Sequence, residues 1–276
     1  MPISLSNVAV EAFRDQFTNV YQAAAVLGNT SQSVMSVVGE AYKWPIQGAG
    51  LMVERGAFQS LLPVSDIDYN QVTTTFDNYV LNLPVDIFQQ AELNINAMQS
   101  LGSVHAKAAG RREDQFIIDA LNTTTTSPIA ADGKNMTVEK IVAAATQMDE
   151  ANVDADDRFL IMTPSQLKSL MSEETATSTL YVNNHVLMNG QIDTFMGFRV
   201  ITIGNRDTGG LPKDGDNRTC FAWQKDAVGR AYSLNPHTEV DWSPAHQSWL
   251  TISRMRCGAS ALLSDGIVPI LCDETA

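Results

Sequence analysis

Residues at Phe88, Ala91, Ile95, Met98, Gly102, His105, Ala109, Phe116 and Ala120 that are apolar, small or only partly polar recur at spacings of mostly three and four. That spacing is the period of one buried helical face. No proline interrupts it. The pattern predicts a single helix from Asp86 to Asn122, a rod of ~50 Å at ~1.5 Å per residue. A compact globule of this length is itself only ~50 Å across. The rod therefore spans the molecule and suits a flat subunit better than a ball around a cleft.

Upstream the period changes. Asn7 to Leu27 reads as an amphipathic helix, capped by Ser6, ended by Gly28 and striped by Val10, Phe13, Phe17, Val20, Ala24 and Leu27. Val34 to Tyr42 reads as a strand, and Trp44 to Gly50 as a Gly/Pro hinge. Leu51–Val64 and Val72–Leu83 alternate as strands around a turn at Ser65–Asn70, which predicts a long hairpin over residues 46–83. An isolated two-stranded ribbon is marginal in water and leaves two open edges. Such a ribbon is content only when it lies on another copy of the chain. The expected contacts of arm and ribbon are Phe13, Phe17, Arg55, Phe58, Leu61, Leu62 and Val64, and the expected hinge is Gly48, Gly50 and Gly56.

Downstream the pattern is mixed. A helix capped by Thr137 runs through Met148, a short buried strand covers Arg158–Met162, and Pro164–Met171 is a helix with proline at its first position. A turn and strand follow at Gly190–Ile201, then a polar Gly/Asp loop at Asn205–Asn217 that is expected to be exposed. Thr219–Trp223, Glu239–Trp242, Trp249–Cys257 and Ile267–Cys272 read as strands. The fold class is α+β.

Composition narrows the function. The 276 residues carry a formal charge of −13. That argues against tight nucleic-acid binding, which depends on neutralising phosphates, though not against lying beside packed DNA. Three cysteines without metal-ligand spacing make structural disulfides an unneeded assumption and fit synthesis in a reducing cytoplasm. No leader-like segment or long apolar run supports secretion or membrane spanning.

The order of motifs resembles one family. It runs Phe17 and Tyr21-Gln22, Val37-Val38-Gly39, a long hairpin, Asn82-Leu83-Pro84-Val85-Asp86 leading into the long helix, and Gly110 to Leu121 closing it. Phe159 to Pro164, Gly197-Phe198-Arg199-Val200 and Met255 to Ala259 follow. Together they resemble the major capsid proteins of tailed double-stranded DNA bacteriophages, with the HK97-type fold. The resemblance implies an N-terminal arm at 1–33 and an elongated loop at 46–83. It implies a peripheral domain from 34–45, 84–136 and 238–260 that includes the spine helix 86–122, and an axial domain from 137–237 and 261–276. It implies hexamers and pentamers closing into an icosahedral head around DNA, in the virion, with portal, separate scaffold protein and a decoration protein as further partners. Some members weld their shells through a lysine on the elongated loop. Residues 46–83 hold Arg55 but no lysine, so a shell without cross-links is expected.

Catalytic and cofactor motifs fail. There is no Gly-x-Ser-x-Gly elbow and no phosphate loop. Asn152, Asp154 and Asp156 imitate the start of a calcium loop, but Asp157 stands where glycine is needed and Thr163 where the bidentate Glu belongs. No cofactor, metal or catalytic residue is expected. His105, on the buried stripe, reads as a packed, hydrogen-bonded histidine. Lys107, Arg111 and Arg112 form the densest basic cluster, either a contact to DNA or to a neighbour's acidic loop, or a solvated face paired with Glu113, Asp114 and Asp119. Two other readings are a cellular encapsulin-type compartment of the same fold and a small hydrolase using Cys257 or Ser260 with a histidine.

Overall fold

The computed structural model describes residues 22, 24–54, 56, 64–87, 97–173 and 194–275. In chain order these form β1 (Gln32–Val34), β2 (Ala41–Gln47), β3 (Tyr69–Thr75), β4 (Asp77–Asp86), α1 (Ala97–Asn122), α2 (Val138–Glu150), β5 (Arg158–Met162) and α3 (Pro164–Ser172). They continue with β6 (Thr194–Phe195), β7 (Phe198–Thr202), β8 (Lys213–Asp214), β9 (Asn217–Gln224), β10 (Val228–Ser243), β11 (Ser248–Ala261) and β12 (Ile267–Asp273).

The described residues form three sheets. The first is ordered β1-β10-β11-β4, with β10 and β11 as a long hairpin. The second has six strands, β12-β9-β5-β7-β6 with β8 beside β9. The third is the ribbon β2-β3. Helix α1 packs between the first two. Phe116 joins Tyr232, Met255 and Cys257 on the first sheet. Ile117, Ile118 and Leu121 enter the larger core with Leu160, Phe221, Trp223 and Ile270 of the second.

Local chemistry explains the second sheet's surroundings. Thr137 accepts from the Lys140 amide to cap α2, and Thr163 with Gln166 forms a capping box that starts α3 at Pro164. Strand β5 is buried along its whole length, as a central strand covered on both faces must be. Lys140 is also buried, and its Nζ donates to the carbonyls of Ala131, Lys134 and Leu271. Three acceptors stand in for water, and the ammonium pins the 131–134 loop to β12.

The ribbon differs from the expected one. Its strands are 41–47 and 69–75, so Trp44 and Pro45 lie in a strand rather than a hinge. Residues 51–54 and 64–68 lie outside any strand, and β4 belongs to the first sheet instead. Alternation misled here because Leu51-Met52-Val53 looks like strand core while being solvent-facing. The ribbon's base is tied down by Trp44 Nε1 donating to Thr74 Oγ1 (3.0 Å) and by Thr74 Oγ1 against Ser260 Oγ (2.7 Å). At Gly258 a Cβ would meet the Thr75 carbonyl at 2.0 Å, so only glycine lets β3 come this close.

Other boundaries moved. The predicted strand 34–42 is split into β1 and β2 by a bend where Ser36 and Gly39 take positive φ. Residues 24–27 are irregular, so the predicted N-terminal helix does not reach Leu27; Phe13 and Phe17 lie outside the described residues. The long helix is continuous over 97–122, ~39 Å; β4 occupies the chain through Asp86, and 88–96 lie outside the described residues. Gly102, placed on the buried stripe, is exposed. β10 runs unbroken from Val228, across the expected domain boundary between residues 237 and 238.

Ile117 sits fully buried where the helix meets the six-stranded sheet. Ile117→Ala is expected to lower stability by roughly 2–5 kcal/mol, read as a shift of the urea unfolding midpoint.

Candidate assembly surface

The helix α1 organises the surfaces around it through three consecutive turns. Asp114 is completely buried, and its carboxylate accepts from the Val26 amide (3.1 and 3.2 Å), the Leu27 amide (3.0 Å) and Arg206 Nη2 (3.1 Å). Burial raises its pKa, and the Leu27 and Val26 amides and Arg206 pull the other way. Arg111 Nη1 donates to Gln22 Oε1 at 3.1 Å, and Gly110 lies so close to the arm that a Cβ would meet Ala25 at 2.9 Å. Further along, Trp223 Nε1 donates to Thr30 O and Arg230 to Gly28 O. Residues 24–31 are therefore held as irregular and turn backbone by side chains of the body, which satisfy the Val26 and Leu27 amides and the Gly28 and Thr30 carbonyls.

The expected exposed loop at 205–217 is partly docked on the same helix. Arg206 reaches Asp114, the Gly209 amide donates to Gln115 Oε1 (2.7 Å), and Gly209 and Leu211 are buried. Gly209 has φ +74 and a Cβ there would meet the Arg111 carbonyl at 2.6 Å.

The basic cluster divides by role. Arg112 lies 4.1 Å over the Tyr79 ring and 5.2 Å from Phe116, and its Nη2 donates to Tyr79 Oη at 2.6 Å. This is a cation–π and hydrogen-bond clamp between α1 and β4. Arg111 holds the arm. Lys107 is half-buried and makes no hydrogen bond or ion pair among the described residues. The acidic neighbours do not pair with the cluster. Glu113 accepts from Tyr232 Oη, Asp114 serves the arm and Arg206, and Asp119 accepts from Gln115.

His105 is buried on the helix face against β11, with Nε2 3.2 Å from Thr251 Oγ1, and burial lowers its pKa. The thiol of Cys257 is pushed up to about 12 by burial, and Ser260 is engaged by Thr74. Neither has a histidine hydrogen bond among the described residues, so the geometry gives no activated nucleophile. The described residues hold no cluster of metal-ligating side chains.

The remaining surface is apolar in unexpected amount. At the ribbon's end Gly48 N donates to Asp68 O, and the loop beyond exposes Leu51, Met52, Val53 and Val64, the last at 96%. Gly50 and Gly56 are exposed and outside any strand. Arg55, Phe58, Leu61 and Leu62 lie outside the described residues. At the far end of the β10–β11 hairpin, Trp242 and Trp249 pack with ring centroids 5.2 Å apart and planes tilted by 59°, with Val240 exposed beside them. That aromatic tip was missed from sequence, although two tryptophans flanking the Pro244-to-Gln247 turn are its signal. Isolated exposed apolar residues are ordinary, whereas clustered ones are the kind of surface that a partner covers.

At the C-terminus Glu274 accepts from Arg218 (2.9 Å) and Lys213 (2.6 Å). Burial would raise its pKa, but hydrogen bonds from Arg218, Lys213 and Gln166 and the charge of Arg218 bring it down to about 2.

A family model described as phage capsid protein matches residues 5–274. Solved structures share the fold at low identity. The capsid of Helicobacter pylori bacteriophage KHP30 superposes with TM-score 0.78 at 13% identity, covering 99% of this chain and 97% of that one. The capsid of cyanophage P-SCSP1u gives 0.76 at 15% identity, covering 96% and 93%. The capsid of a native GTA particle gives 0.74 at 13%, covering 98% and 97%. No curated protein matches the chain.

Asp114→Ala removes the acceptor of two arm amides and leaves Arg206 without its buried partner. It is expected to cost roughly 3–5 kcal/mol and to make residues 22–31 the first site of limited proteolysis. Glu274 supplies acid-sensitive stability. Its folded pKa of about 2 lies below the ordinary 4.5, so its contribution is full above 4.5 and is lost as pH falls toward 2. Glu274→Gln is expected to flatten the fall in urea midpoint between pH 4.5 and 2.

Proposed function

The chain belongs to the phage capsid protein family, and from that premise we propose how this structural major capsid protein builds its shell. The N-terminal arm ahead of residue 22 and the loop 48–68 lie across neighbouring copies, with Phe13, Phe17, Arg55, Phe58, Leu61, Leu62 and Val64 in the contacts, while residues 24–34 and β4 stay on the subunit's own body. The first sheet with α1 is the peripheral domain, and the six-stranded sheet with α2 and α3 is the axial domain that points at the capsomer centre. Hexamers and pentamers of this one sequence close the icosahedral head around double-stranded DNA. The observation that carries the reading is the loop at 48–68, which exposes Leu51, Met52, Val53 and Val64 together at the end of a two-stranded ribbon. Nothing on the described subunit covers them, and burying apolar surface of this kind is worth about 25 cal/mol per Å².

Glycines 48, 50 and 56 let the loop change angle between hexamer and pentamer positions. The shell holds without covalent cross-links, since the loop carries Arg55 and no lysine. A separate scaffold guides assembly, with portal and decoration protein as further partners, and the chain is made in the host cytoplasm. The −13 charge keeps contacts to packed DNA non-specific. The capsid family match favours the phage shell over a cellular compartment of the encapsulin type, and Cys257 and Ser260, named for an enzyme reading, have no histidine hydrogen bond among the described residues.

Phe58→Asp and Met52→Asp are expected to leave the circular dichroism of the subunit unchanged and abolish shells by electron microscopy. Normal particles from both variants would refute the placing of the contact on this loop.

A further inference from the structure

A cavity of about 340 Å³ lies between α1, β4 and β11, lined by Val80, His105, Arg111, Arg112, Thr208 and Arg254 among others. β4, which lines the cavity through Tyr79, Val80 and Leu81, is an outer strand of its sheet, so among the described residues its far edge is unpaired. Open edges and exposed Val80, at 67%, are features a partner segment would cover.

The cavity's charge is not balanced from within. Arg254 pairs with Glu239. Arg111 bonds the neutral Gln22, and Arg112 stacks on Tyr79 and bonds its hydroxyl, leaving its buried Nε without a partner. Neither Arg111 nor Arg112 has a carboxylate partner among the described residues. His105 adds a different demand. Thr251 Oγ1 donates its one proton to Leu83 O at 2.7 Å, so it must accept from His105 Nε2. Burial keeps the ring neutral, which leaves Nδ1 a bare acceptor, and it has no partner although the ring is 1% exposed.

Two guanidinium groups lacking an anion, beside one acceptor lacking a donor, together select the ligand. A phosphodiester brings only acceptors. A peptide brings carboxylates for the arginines and N–H groups for the histidine nitrogen. The chain itself carries a suitable segment. Val64-Ser65-Asp66-Ile67-Asp68 is exposed apart from half-buried Ile67, and Asp66 and Asp68 make no ion pair among the described residues. Asp66 Oδ1 accepts from the Ile67 amide at 3.0 Å and Asp68 follows two residues on, so one short stretch carries two exposed carboxylates.

We propose that this cavity is the socket for the acidic segment Val64–Asp68 of a second copy, with Arg111 and Arg112 receiving its carboxylates. The inference rests on the reading that the 48–68 loop lies on a neighbour, and it names where that loop ends. Opposite charges then set the register of copy on copy, while the apolar loop residues supply adhesion.

Three arms test it. Asp66→Lys with Asp68→Lys should cut shell yield on the order of tenfold, and adding Arg111→Glu in the same chain should recover it. Chains carrying Val80→Cys, mixed with chains carrying Asp66→Cys, should give an interchain disulfide at twice the 30.0 kDa subunit mass in assembled shells; the native thiols are buried. Shells that form without that cross-link, or lost yield that the swap does not recover, would overturn the socket while leaving the loop's role intact. Full yield from both the Asp66→Lys, Asp68→Lys chain and the Met52→Asp chain would overturn the underlying reading instead. Arg111→Glu particles that form normally but retain less DNA would assign the arginines to phosphate and overturn the proposal.

Discussion

One helix belongs to two cores, and the rest of the subunit is arranged around that fact. Phe116 faces the β10–β11 hairpin, while its immediate successors Ile117 and Ile118 face the six-stranded sheet. Adjacent residues on a helix point ~100° apart, so a segment buried at 116, 117 and 118 must be covered from two directions. The two sheets are thereby fixed to one rigid element. A displacement of either sheet would uncover fully buried aliphatic surface. Rigid docking of this kind lets contacts at distant tips add up, because strain at one tip is transmitted through a packed interior rather than absorbed.

Polar groups complete the same helix. Asp114 has a position that an aliphatic residue could have filled, and it instead anchors irregular arm backbone and Arg206. A buried carboxylate is expensive, and its raised pKa records that cost. What it supplies is a defined path for an arm that has no secondary structure of its own at 24–27. The loop at 48–68 has the opposite character: its described part is joined across by Gly48 N to Asp68 O and by Ser65 Oγ to Leu51 O, and it leaves Leu51, Met52, Val53 and Val64 facing water.

How much of this could be read from sequence follows from which interactions are local. α2, β5 and α3 were legible almost to the residue because their signals are local: a capping threonine, a short apolar run and a proline at the first helical position. The continuous helix over 97–122 was legible from period alone. The ribbon was not, because Tyr42 and Thr74 pair across the intervening loop, and no local pattern distinguishes that register from a hairpin centred on Asp68. His105, the stripe's polar member, read correctly as packed, but Asp114 off the stripe did not: a period search discounts aspartate, so it read as part of a solvated face, as the 205–217 loop read as exposed. Of the three basic residues singled out as a cluster, Arg111 and Arg112 are engaged within the subunit, by Gln22 and by the Tyr79 ring, and neither contact has a signature in spacing.

The fold's tolerance of sequence change has the same origin. Structures at 13–15% identity superpose over nearly the whole chain. Such divergence is possible when what must be kept is a helical period, strand alternation and a few close approaches such as Gly258 against Thr75, each of which many sequences satisfy. Surfaces between copies obey a stricter rule. A change at a core position can be repacked by neighbours in the same chain, but a change in a self-complementary contact is repeated in every copy at once. Its cost is multiplied by the number of interfaces, so identity in such a protein is expected to be concentrated in no single core cluster. In the socket proposed above, specificity resides in the pairing of loop carboxylates with arginines of α1, which can change in concert while the scaffold beneath them stays the same.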